Sequence, residues 1–244
     1  MATEASRPAF YALSPGGWRD YVTLVHLPYT AWHLSYVAIG AALSAAFAWD
    51  RFLPTLAAFF LAVGIGAHAL DELNGRPLRT RIPGGMLVAL GVASIAGAIA
   101  IGIVGALTVD RWLGAFVAAG AFIVVAYNLE LVGGRFHGDA WFALAWGSFP
   151  LVTAYFAVAG KLDLVAAAGA VFAYLLSHAQ RTLSTPVRDV RRRVTGVEGR
   201  IDRLDGSSEP ITAGRLVHAN ERALRALAGA TVALAVTLVL MRTL

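Results

Sequence analysis

The residues of this chain best able to do chemistry sit in short polar stretches between long apolar ones. In GAHALDELNGRPLRTRIPGG, residues 66–85, His68, Asp71 and Glu72 stand at i, i+3 and i+4 and share one face if the stretch is helical. In YLLSHAQRTLSTPVRD, residues 174–189, His178 and Arg181 are three apart. A third stretch, YNLELVGGRFHGDAW, residues 127–141, adds Tyr127, Asn128, Glu130, His137 and Asp139. Its Gly133–Gly134 pair suits a tight turn or a close approach of backbone to a ligand. Carboxylates and imidazoles move protons and hold metal ions, and guanidiniums pair with phosphate or carboxylate. The chain has no cysteine, which excludes thiolate nucleophiles, thiolate metal sites and disulfides. Any metal must therefore be held by His, Asp or Glu.

The elements that position these residues are membrane helices. Of the 244 residues, 58% are hydrophobic and only 14% are charged, so the chain lacks the charged skin a soluble domain of this length needs. Apolar stretches at 28–47, 53–70, 86–109, 112–129, 141–159, 162–176 and 227–240 predict about seven membrane-crossing helices. Small residues four apart, such as Ala98, Gly102 and Ala106, let helix backbones approach closely, and nothing alternates as barrel strands do. The expected fold is an all-α polytopic transmembrane helical bundle, a single domain over residues 1–244. The first twenty residues are mixed and polar, without a cleavable leader pattern, and are expected to be retained.

Charge orients the bundle. With seven spans, sixteen of the basic residues fall on the side of the N-terminus and four on the other. This bias places the N-terminus in the cytoplasm, together with the loops after spans two, four and six. The net charge of +5 is then a property of cytoplasmic loops, and no nucleic-acid partner is expected. The ends of spans two and six are predicted to meet across the cytoplasmic mouth of the bundle. Ionisable residues at membrane depth usually face a cavity. The competing placement is among headgroups, with Arg76, Arg79 and Arg81 on lipid phosphates.

Segment 183–225 is expected to be a cytoplasmic, basic, amphipathic stretch between spans six and seven. Thr185 before Pro186 reads as a helix start. After it Val187, Val190, Val194, Val197, Ile201 and Leu204 repeat at spacings of three and four, with arginines between them.

The arrangement resembles the UbiA superfamily of intramembrane prenyltransferases. HLPYTAWHLSYVAIGAALS looks like that family's first helix, and AHALDELNGRPLRTRIPGG stands where the family carries an aspartate-rich motif followed by a basic-Pro-x-x-Gly turn. AYNLELVGGRFHGDAWFALAWGSFP resembles its tyrosine-bearing loop and following helix. Against the family pattern, His68 takes the place of the first aspartate, Asp71 keeps the second, Gly75 replaces the third, and His178 falls near the first aspartate of the second motif. The resemblance implies an isoprenoid-like substrate, with membrane lipid around the chain. It also implies Mg²⁺ on Asp71 and Glu72, and a diphosphate paired with Arg79 and Arg81. Asp71, His68 and His178 then occupy the catalytic positions, and Tyr127, Asn128, Asp139 and Arg181 the substrate-binding ones. Histidine is a poor Mg²⁺ ligand and a good one for Zn²⁺ or another transition metal.

Three functions follow from these residues. The first is a divergent UbiA-like prenyltransferase or terpene cyclase working on a prenyl diphosphate-like substrate in a cytoplasm-facing cavity. The second is an intramembrane metal-dependent hydrolase with His68, Asp71 and His178 as a three-ligand site. The third is a non-catalytic membrane protein for lipid binding or assembly.

Overall fold

In a lipid environment every backbone N–H and C=O needs a partner within the chain, so long apolar stretches become helices. The computed structural model describes residues 7–244, and the first six residues of the N-terminal stretch expected to be retained lie outside the described residues. Within them α1 covers Trp18–Leu24 and α2 Leu27–Leu43. Then follow α3 over Trp49–Leu73, α4 over Gly84–Thr108, α5 over Leu113–Asn128 and α6 over Asp139–Ala159. The last helices are α7, Leu164–Arg193, and α8, Ala213–Thr243. Between these two runs a two-stranded antiparallel hairpin of β1, Arg200–Asp202, and β2, Ser208–Pro210.

Four helices, α3, α4, α6 and α8, are long and apolar enough to cross a membrane, and α5 is a shorter apolar one. The protein is a helical membrane protein, as its composition indicates. Val88, Val92, Ile103 and Leu107 of α4 and Val236 and Leu240 of α8 remain exposed, an outer surface suited to acyl chains.

Helices α2 and α6 form the centre of the bundle. Trp32, Tyr36, Val37 and Ala41 are fully enclosed, and α2 packs against α6 and α8. Small residues make this possible: a Cβ at Gly40 would collide with the Leu151 carbonyl of α6, and one at Gly147 of α6 would lie 2.5 Å from the Ala173 carbonyl of α7. Trp32 donates its indole N–H to the Tyr36 hydroxyl at 2.7 Å, and the same hydroxyl accepts from Ser177 of α7 at 3.0 Å, so the buried polar groups of this core are satisfied internally.

Two helices loosen their winding. α3 is π-helical over Phe60–Ala67 and α6 over Leu144–Ser148. Such turns are rare and gather at functional sites.

The segment expected to follow a sixth span departs from the expectation. α7 does not stop near residue 176 and restart at Thr185; it continues through Pro186 to Arg193. Leu183, Val187 and Val190 pack on Val217 and Leu224 of α8, and this apolar contact outweighs the unfavourable proline. The expected amphipathic helix through Leu204 is replaced by the hairpin. Gly199 and Gly206 adopt positive φ there, and Leu204 is exposed. Glu209 holds the hairpin by ion pairs with Arg203 and with Arg215 at the start of α8. Those guanidiniums keep its carboxyl below the usual range.

Candidate functional site

One end of the bundle gathers four of the chain's six histidines with a set of tyrosines and arginines. The start of α2 brings His26, Tyr29 and His33, and the end of α3 brings His68 and Asp71. The end of α5 brings Tyr127 and Asn128, the turn before α6 brings His137, and α7 brings Gln180, Arg181, Arg188 and Arg192. Together with Tyr11 from the N-terminal segment they enclose a polar cavity of about 170 Å³.

The histidines are oriented by backbone. His33 Nδ1 lies 2.8 Å from the Trp146 carbonyl and His68 Nδ1 3.1 Å from the Gly64 carbonyl. Both carbonyls belong to the π-helical stretches, where loosened winding presents them to side chains. A carbonyl only accepts, so Nδ1 carries the hydrogen in both rings and Nε2 is left as a lone pair. His137 Nδ1 makes the same bond to the Tyr127 carbonyl at 3.1 Å, with its ring stacked on that of Tyr127 at 4.4 Å. His26 stacks on His68 with ring centroids 4.0 Å apart. Burial, reinforced by the neighbouring His68, holds the His26 imidazole well below its ordinary value, and burial raises the Tyr11 phenol well above its own.

Of the residues expected from the sequence, His68, Asp71, Tyr127, Asn128 and Arg181 line this one cavity. Asp139 stands just outside, exposed, and accepts a 2.9 Å bond from Arg181 Nε. His178 turns away: it is exposed and its ring lies parallel to Tyr174 of the preceding turn. Glu72, expected beside Asp71 on a metal, does not line the cavity and turns to the loop after α3. It is 1% exposed, and its carboxylate accepts from the Leu78 and Thr80 amides and the Thr80 hydroxyl at 2.8–2.9 Å. It therefore anchors the loop after α3. Arg79 and Arg81 lie exposed on that loop, away from the cavity, and the Arg81 amide is held by Asp20 at 2.9 Å.

These positions decide how well a metal fits. Asp71 is the cavity's one carboxylate, and among the described residues no three His, Asp or Glu side chains converge as metal ligands. Mg²⁺ is usually held through one or two carboxylates together with substrate phosphates, and of the two carboxylates that the resemblance implies only Asp71 faces the cavity, Glu72 being bonded to the following loop. The three-ligand set of His68, Asp71 and His178 is not assembled either.

Sequence reasoning missed His26, His33, Arg188 and Arg192. The signal was present: His26, Tyr29, His33 and Tyr36 recur at spacings of 3, 4 and 3, and Arg181, Arg188 and Arg192 at 7 and 4, each a single helix face.

A second, mainly apolar cavity of about 540 Å³ lies between α3, α4, α5 and α6. Its walls include Phe59, Ala62, Ile99, Phe116 and Ala121. Val63 and Trp146 line both cavities, so the polar and the apolar chamber meet at these two side chains. No family model matches the chain, and no curated protein or solved structure matches it.

Proposed function

We propose that this chain is a divergent UbiA-like membrane protein of about seven spans, with its N-terminus and polar cavity toward the cytoplasm, that acts on an isoprenoid carrying an anionic, diphosphate-like head. One observation carries the reading: a small polar chamber abuts a larger apolar one across Trp146 and Val63, the shape of a short charged head on a long apolar tail. The arginine-rich end of the bundle, favoured in the cytoplasm by the positive-inside bias, is the end that holds the polar chamber.

In this reading the prenyl C–O bond breaks with its electron pair going to the diphosphate, beside the α7 arginines. The allylic cation left behind faces Tyr127 and Trp146, whose ring faces attract positive charge. It is quenched either by bonding to an acceptor, which releases a proton to Asp71, or by losing a proton of its own to Asp71. The single carboxylate of the cavity favours a second reading, in which the protein binds the same lipid without turning it over.

The test is retention of farnesyl diphosphate by the purified, detergent-solubilised chain, followed by product analysis. Ala121→Trp fills part of the apolar chamber and is expected to weaken retention about tenfold, the order of a few lost methylene contacts. Equal retention of farnesyl diphosphate by wild type and Ala121→Trp would remove the tail chamber from the argument. Retention without product selects the binding role.

A further inference from the structure

Resting on that reading for the chain of the ligand but not for its head, we infer that the polar cavity is a divalent-metal-independent phosphate or diphosphate site built by Arg188 and Arg192 of α7, with Arg181 at its edge. Arg188 and Arg192 are half-buried and both line the cavity. Arg188 bonds to the Ser184 and Thr185 hydroxyls at 3.2 and 3.1 Å, and Arg192 to the Pro8 carbonyl at 3.5 Å. Among the described residues neither has a carboxylate within ion-pair distance, whereas Arg181 is paired with Asp139 and Arg191 with Glu221. Two withdrawn cations on one wall, with a single carboxylate on the other, leave excess positive charge that an anion neutralises.

A second observation points to the same occupant. His26 Nε2 and Gln180 Oε1 are buried, line this cavity and have no hydrogen-bond partner among the described residues. Buried polar atoms are satisfied in nearly all proteins, so a polar ligand group completes them. An oxyanion accepts from the guanidiniums and from a His26 N–H, and a protonated phosphate oxygen donates to Gln180. This donor set does the neutralising that metal ions do where carboxylates are plentiful.

Binding of farnesyl diphosphate and of inorganic pyrophosphate to the full chain in detergent, each in EDTA and in Mg²⁺, tests the inference. Affinity is expected to change less than about twofold between EDTA and Mg²⁺. Arg188→Gln and Arg192→Gln are each expected to weaken both ligands by about tenfold or more, the scale of one charged hydrogen bond, while Arg188→Lys loses less. Thermal unfolding of each variant confirms that it is folded. Binding that vanishes in EDTA and returns with Mg²⁺ overturns the inference, and so does wild-type affinity in both glutamine variants. If pyrophosphate binds as tightly as farnesyl diphosphate and both depend on Arg188, the anion site stands and the isoprenoid reading falls. If folded wild type binds neither, both fall.

Discussion

His26 and His68 lie ring on ring, 4.0 Å between centroids and 24° between planes, one at the threshold of α2 and the other near the end of α3. The contact joins two helices through groups whose charge state depends on pH. Two imidazolium rings at this separation would repel, so the stack depends on at least one ring remaining neutral.

The first prediction concerns acid. His26 is held well below its ordinary pKa of 6.5 by burial, so in the window beneath that value the unfolded chain binds a proton that the folded chain does not. Stability therefore falls as pH drops from about 7 to about 5 and is fully present above that window. Thermal unfolding of the detergent-solubilised protein, followed by tryptophan fluorescence, should show this decline. His26→Phe should make it shallower, and an unchanged slope in that variant would remove His26 as one of its sources.

The second concerns Glu72. Its two oxygens organise the Leu78–Thr80 turn, so Glu72→Gln, which places an amide NH₂ against backbone donors, should destabilise the protein by about 1–3 kcal/mol. Limited proteolysis should cut first in residues 74–82. Binding of farnesyl diphosphate should survive at temperatures where the variant is folded, because the carboxylate does not face the cavity.

The third concerns the joint between α7 and α8. Arg191 Nε and Glu221 Oε1 are 2.5 Å apart and both side chains are 7% exposed. Removing one partner of such a pair typically costs about 3–5 kcal/mol, so Glu221→Ala should lower the unfolding temperature more than Glu209→Ala, whose partners reach solvent. A smaller effect at Glu221 than at Glu209 would mean the buried pair contributes little.

The helical, membrane-embedded character was legible because composition and run length alone demand it. So was the grouping of His68, Asp71, Tyr127, Asn128 and Arg181, since a run of spans returns every second connection to the same side. The side-chain directions were not legible. Asp71 and Glu72 are neighbours in sequence, yet one faces the cavity and the other the following loop, because adjacent residues on a helix point about 100° apart. Thr185 and Pro186 carry the local signature of a helix start. Nothing local revealed that Val217 and Leu224, thirty to forty residues on, would keep α7 helical through it.

The relaxed turns of α3 have a geometric consequence. Thr55, on the wall of the apolar chamber, and Asp71, on that of the polar one, are sixteen positions apart, which at 3.6 residues per turn would set them about 160° from each other around the axis. The slackened stretch between them, Phe60–Ala67, turns less per residue and so reduces that offset. One rod can thus serve two compartments that touch at Val63. Excising a single residue from that stretch would throw its two halves out of phase.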